Sequence, residues 1–157
     1  MTGELRDVLR AVDFLAPLDD ETLDELVTHA RRVHYTTGQR IVSELETGAD
    51  VFVVVSGTAD VVVEPRRGER RVLHALGPGG AFGEMSSLTG GLRSATVVTT
   101  ADCELVIIRD AVFDRLRERR PEVALALLRT LGKRLGDAEH AIDELLAARS
   151  EAAPPPH

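Results

Sequence analysis

The amino-acid sequence predicts an α+β fold, an antiparallel β-roll of the jelly-roll kind flanked by N-terminal helices and a long C-terminal helix. Three observations carry this. Apolar residues recur at helical spacing near both ends of the chain. Between them, from Val33 to Ile108, short runs of Val, Ile, Phe and Thr alternate with glycine-containing turns, the texture of a closely spaced all-β unit. No internal repeat suggests an array.

Leu5, Val8, Leu9, Val12 and Leu15 predict a helix over residues 4–16, stopped by Pro17. Asp19, Asp20 and Glu21 favour the N-terminal dipole of a second helix. Leu23, Leu26 and Val27 form its apolar stripe, and Arg31 and Arg32 fall in its last turn. In the roll, Val51 to Val55 and Ala59 to Val63 flank Ser56-Gly57 and read as a hairpin. Arg71 to Ala75, Ser94 to Thr99 and Glu104 to Ile108 read as further strands. Asp110 opens a short helix with Val112, Phe113 and Leu116 on one face. Pro121 suits the first turn of a final helix running to about Ala148. The expectation is one domain over residues 1–148, with the β-roll at about 33–108 and the C-terminal helices at about 110–148. Residues 149–157, with Pro154 to Pro156, have too little apolar content to pack and are expected to be a disordered tail.

Composition excludes several classes. The net charge is −7, whereas nucleic-acid binding draws on Lys and Arg that neutralise phosphates. Two basic clusters exist. Arg66, Arg67, Arg70 and Arg71 bracket Gly68 at a hairpin tip, and Arg115, Arg117, Arg119 and Arg120 lie near a helix end. Both are expected to be solvated surface, and aromatic residues, at 3%, are too few for base-stacking platforms. No nucleic-acid partner is therefore expected. No apolar run reaches the roughly 18 residues of a membrane span, so no membrane partner is expected either. The single cysteine, Cys103, and the lack of a secretory pattern at the N-terminus point to the cytoplasm.

The segment with chemical content is Phe82-Gly83-Glu84-Met85-Ser86-Ser87-Leu88, then Thr89-Gly90-Gly91-Leu92, then Arg93-Ser94-Ala95-Thr96-Val97. Gly83 lets a ligand approach the backbone closely. Glu84 to Leu88 is long enough for one helical turn, whose first N–H groups suit an anion. Glu84 is an acceptor for a hydroxyl, Arg93 is a fork of donors suited to a phosphate, and Ser94 adds a hydroxyl beside it. Together they fit a ligand with one phosphate and one sugar hydroxyl. The plainer alternative is a turn in which Glu84 and Arg93 pair with each other.

The string FGEMSSLTGGLRSATV resembles the phosphate-binding cassette of the cyclic-nucleotide-binding domains, the family of the bacterial cAMP receptor protein and of the regulatory domains of cAMP-dependent protein kinase. Glu84 and Arg93 stand nine positions apart, the kinase-branch spacing. Gly38, Ile41 and the segment from Asp50 to Gly57 extend the resemblance, which covers roughly residues 12 to 146. It implies that Gly83 and the amides of Glu84, Met85 and Ser86 face ribose and phosphate. Glu84 would accept the ribose 2′-hydroxyl, and Arg93 would neutralise the cyclic phosphate with help from Ser94. Met85, Val97 and strand valines such as Val61 or Val63 would wall the base. The expected ligand is cAMP, with cGMP as the alternative, bound by a sensor that changes the pose of its C-terminal helix. No catalytic residue and no cofactor are implied.

The sequence departs from the receptor branch where a hydroxyl pair on the long helix contacts adenine. That place reads Ala138-Glu139, leaving Asp137 or His140 as substitutes. No helix-turn-helix follows that helix, so DNA binding is not expected to be inherited. Leu128, Leu131, Leu135, Ala138, Ile142 and Leu145 step by three and four, the seam of a two-stranded coiled coil and hence of a homodimer. The effector is unnamed by any motif. Two rivals remain: a family member that keeps the fold as a protein-interaction scaffold without nucleotide, and a cupin-like metal protein. The metal rival is opposed by the scatter of His29, His34, His74, His140 and His157.

Overall fold

A computed structural model describes residues 2–152, with side-chain burial for residues 3–150. Helix α1 spans Thr2–Arg10 and α2 spans Asp20–His29. Eight strands follow: β1 (Arg31–Tyr35), β2 (Arg40–Val42), β3 (Val51–Ser56), β4 (Ala59–Arg66), β5 (Glu69–Leu76), β6 (Ala81–Phe82), β7 (Thr96–Thr99) and β8 (Cys103–Ile108). The short helix α3 (Glu84–Thr89) interrupts the roll, and α4 (Asp110–Arg119) and α5 (Pro121–Ala152) close the chain.

The strands form two antiparallel four-stranded sheets, ordered β1-β8-β3-β6 and β2-β7-β4-β5. Their facing sides bury Val42, Phe52, Val54, Ala59, Val61, Leu76, Phe82, Val97, Cys103 and Leu105. A second cluster joins the helices to the outer face of β3. Leu9, Val12, Phe14, Leu15, Leu18, Leu23 and Leu26 pack with Val51, Val53 and Ile108, and with Phe113, Leu116, Val123 and Leu127. The α+β roll with flanking helices is thus as expected.

Local boundaries differ from expectation. The first helix ends at Arg10, not at residue 16. Residues 11–18 continue as tight turns, with Leu15 and Leu18 donating to Val12 and Leu15 carbonyls, while Val12, Phe14, Leu15 and Leu18 stay buried. Arg31 and Arg32 belong to β1, not to the end of α2, because the extended Ala30 breaks the helix and β1 then pairs with β8. Ser56-Gly57 is not a hairpin. β3 and β4 lie in different sheets, and the turn is a corner between them. Gly57 has φ +87°, and a Cβ there would collide with the Asp102 carbonyl oxygen. The Arg66–Arg71 hairpin tip is as expected, with Gly68 at φ +84°.

The second basic cluster is not free surface throughout. Arg117 pairs with Asp114 and lies over the Phe113 ring at 5.3 Å. Arg120 donates to the Thr22 hydroxyl. Helix α5 runs to Ala152, four residues past the expected end at 148, so the expected tail from 149 is helical through 152. Its remainder, 153–157, lies outside the described residues.

Candidate functional site

Strand β6 delivers the chain to Gly83, which stands at φ +90° as the N-cap of α3. A side chain there is excluded twice over, since a Cβ would strike the Asp50 carbonyl oxygen and come within 2.7 Å of Arg93 Nη1. Gly83 offers no side-chain cap, so the first amides of α3 are left to other partners. The helix ends at Gly90, also left-handed at φ +95°, and the chain returns through Arg93 to β7.

Arg93 is 6% exposed. Its backbone is clamped on both sides, its N–H donating to Glu46 O and its carbonyl accepting from Leu45 N. Its Nη1 donates to the Asp50 carbonyl at 3.0 Å, and its guanidinium lies 5.6 Å above the Phe52 ring, itself stacked on Phe82. Gly48 makes room, since a Cβ there would sit 3.0 Å from Arg93 Nη2. Burial lowers the Arg93 pKa from its ordinary value, partly opposed by the charges of Asp50 and Glu46. Asp50 also accepts from the Asp110 amide at 2.9 Å, tying the loop beside Arg93 to the start of α4.

Glu84 is 2% exposed. It does not pair with Arg93. Its Oε1 accepts from Arg134 Nη1 of α5 at 2.7 Å, and its Oε2 is buried with no partner. A buried carboxylate oxygen left unmatched is costly unless something donates to it. Ser86 donates to the Leu92 carbonyl and fixes the loop between α3 and Arg93.

These residues line a cavity of about 590 Å³, within the size range of small-molecule sites. Gly83, Glu84, Met85, Ser86, Arg93 and Ser94 all border it, as do Val61 and Val97. Val63 does not. It sits toward the hairpin tip, paired with Arg71. The opposite wall comes from residues that sequence reasoning missed: Leu73 and His74 of β5, and Leu131, Arg134 and Leu135 of α5. Asp137 and His140 are not among the lining residues. His140 faces Glu144 on an exposed stretch of the helix. The heptad seam already contained Leu131 and Leu135, but nothing in the sequence marked Arg134 as a partner for Glu84.

His74 borders both this cavity and a smaller one behind it, as does Arg134. Desolvation lowers the His74 pKa, Arg134 lowers it further, and Glu84 partly opposes both. Among the described residues, no three His, Cys, Asp or Glu side chains gather to hold a metal ion.

The arrangement is a buried cation and a buried carboxylate facing one apolar cavity, closed on its far side by a helix. Known proteins share the sequence pattern and the fold around it. The cyclic nucleotide-binding domain pattern matches residues 32–120. The chain is 35% identical over 131 residues to the cyclic AMP receptor protein of Thermus thermophilus, covering 83% of this chain and 59% of that protein. It therefore spans about three fifths of that relative's length. The crystal structure of the Thermus thermophilus catabolite activator protein superposes with a TM-score of 0.78 at 33% identity, over 85% of this chain and 62% of that one. The cAMP co-crystal structure of the regulatory domain of Toxoplasma gondii PKA gives 0.68 at 26% identity, over 73% and 43%. With the cassette, the two-sheet roll and the family pattern in one continuous stretch, the chain belongs to the cyclic-nucleotide-binding domain family.

Proposed function

We propose that this chain is a cyclic-nucleotide sensor, with cAMP as the favoured ligand and cGMP as the alternative, that works by regulation and not by catalysis. The observation that carries this is that buried Arg93 and the unpartnered Oε2 of buried Glu84 border one cavity. Arg93 has donors left to meet a cyclic phosphate, with the Ser94 hydroxyl and the first amides of α3 beside it. Glu84 Oε2 accepts the ribose 2′-hydroxyl. The base then lies toward Val61, Val97, Leu73 and the α5 leucines. The cAMP bound to the Toxoplasma relative supports the choice of ligand.

Occupancy reaches the rest of the molecule through α5. Arg134 joins that helix directly to the carboxylate the ligand uses, and Asp50 joins the loop under Arg93 to α4. A ligand that closes on Glu84 and Arg93 therefore changes what holds both helices, and shifts their pose by its difference in affinity for the two arrangements. The exposed seam of Leu128, Leu135, Ile142 and Leu145 carries the signal to a second copy of the chain, and from there to an effector.

Hydrogen exchange with and without nucleotide tests this. With saturating cAMP, protection rises in residues 82–97 and changes between 110 and 146. A response confined to 82–97 removes the switch and leaves a passive binder. No response to either cAMP or cGMP removes the nucleotide and favours the scaffold.

A further inference from the structure

Leu73 and His74 are neighbours on β5, and a regular strand would turn one of them away from the cavity. Both line it. The register shows why. Val61 of β4 stands opposite His74 and Val62 opposite Val72, so Leu73 is an extra residue, a bulge that aims two successive side chains at the same space. Away from the cassette, the only lining side chains with hydrogen-bonding atoms, among the described residues, are His74 and Arg134. Arg134 is engaged with Glu84 through Nη1 and carries donors alone. His74 is therefore the one side chain on the base side of the cavity that can both give and take a hydrogen bond. His29 meets the Glu25 carbonyl and His140 meets Glu144, but among the described residues the His74 ring bonds to no protein atom. With the phosphate at Arg93 and the ribose at Glu84, a base directed at Val61 and Leu73 presents its edge to that ring.

A neutral imidazole carries one N–H and one bare nitrogen, whereas the imidazolium carries two N–H groups and no acceptor. Adenine presents an amino donor beside its N7 acceptor, and guanine presents the O6 and N7 acceptors in the same places. We propose that His74 reads the base edge in a proton-dependent way: the neutral ring accepts from the adenine amino group, the protonated ring donates to guanine O6, and acidification thereby moves the site from cAMP toward cGMP. This rests on the nucleotide reading above. His74 is exposed along the edge strand, so its ring exchanges protons with solvent while it borders the cavity. The charged groups around it are Arg134 of α5, Glu84 of α3 and Asp13 of the turns after α1, with Arg93 across the cavity and Asp60 of β4 opposite the next residue, Ala75. Desolvation and Arg134 favour the neutral ring and Glu84 opposes them, so the change of preference falls on the acid side of the ordinary histidine value of 6.5. Glu84 and Arg93 meet the ribose and phosphate that both nucleotides share, so their own titration cancels in the ratio of the two affinities.

Calorimetry of cAMP and of cGMP with the full chain, at about pH 8 and about pH 5.5, reads this out. In the wild type the ratio of the cGMP to the cAMP dissociation constant falls about fivefold or more between the two conditions. His74→Gln keeps a donor and an acceptor at every pH, so it binds both nucleotides and its ratio moves less than about twofold. His74→Lys has donors alone and holds the low-pH ratio at both values. NMR titration of the ring gives a second readout, since proton and ligand binding are linked: cGMP raises the His74 pKa and cAMP lowers it, relative to the free protein. A histidine that is only part of the wall shifts the same way with both. The proposal is overturned by a wild-type ratio that does not move with pH, by a His74→Gln protein that keeps the wild-type pH dependence, or by a His74 pKa that shifts alike with the two nucleotides. Each of those results leaves the nucleotide reading standing. A wild type that binds neither cAMP nor cGMP at either pH overturns both together.

Discussion

Arg93 holds its place through a clamped backbone, a single bond to the Asp50 carbonyl and the Phe52 ring, while burial works against its charge. That balance makes it the residue most sensitive to substitution. Arg93→Ala should cost about 2–5 kcal/mol of nucleotide binding, as for other truncated buried charge pairs. Arg93→Lys should recover part of this, since a point charge replaces a planar fork. Calorimetry of the three proteins checks the order. His74 gives a second prediction at this scale. Its neutral ring is favoured in the fold, so it should titrate below its ordinary value near 6.5. The unfolded chain then takes up that proton first as pH falls. The His74 contribution to stability is therefore lost as pH drops through about 6.5, and levels off below the folded-state value. Arg134→Gln removes a repelling cation and should raise the His74 pKa, whereas Glu84→Gln should lower it, both read by NMR titration. The cassette residues were legible in the sequence because their chemistry is contiguous, Gly83 to Ser94 forming one string. Arg134 and His74 were not, because each reaches the cavity from a separate element and neither stands in a motif of its own.

Helix α5 is two objects joined end to end. Val123 and Leu127 are almost wholly buried against the N-terminal helices and α4, whereas Leu135, Ile142 and Leu145 are more than half exposed. Leu127→Ala should therefore destabilise the folded chain by about 2–5 kcal/mol, while Leu145→Ala should leave monomer stability nearly unchanged and weaken self-association. Thermal and denaturant unfolding at low and high protein concentration separate the two. At the corner between β3 and β4, Gly57→Ala should cost at least the roughly 1–3 kcal/mol of a strained left-handed residue, because its Cβ also meets Asp102 and Cys103. The valine runs on either side were legible as strands, but not their separation into two sheets. A Gly-containing turn looks alike in sequence whether it makes a hairpin or a corner, and the pairing of β3 with β8 and of β4 with β7 is decided by residues 34 to 57 positions on. The end of α2 was missed for a related reason, since the arginines that suit a helix C-terminus are drawn into β1 by the ladder with β8 and the Arg32–Glu104 ion pair.

At the scale of the whole molecule, the cavity exists where the roll, the cassette and α5 meet, so its occupancy is tied to the packing of all three. A ligand that binds only the folded state at about a hundred times its dissociation constant adds about 2.7 kcal/mol of stability. For a chain of this length that corresponds to a thermal shift of about 5–10 °C. The architecture itself was legible because its periods differ plainly, helical at the ends and short β runs between. The closure of the site by α5 was not, since it depends on how a distant helix lies across the roll. The central claim is that the Arg93–Glu84 cavity binds a cyclic nucleotide, and calorimetric titration of cAMP into nucleotide-free wild type and Arg93→Ala, side by side, tests it most directly. Saturable heat at one site per chain in the wild type, strongly weakened in Arg93→Ala, is the predicted result. Equal affinity in both proteins, or no heat from cAMP or cGMP in the wild type, would contradict it.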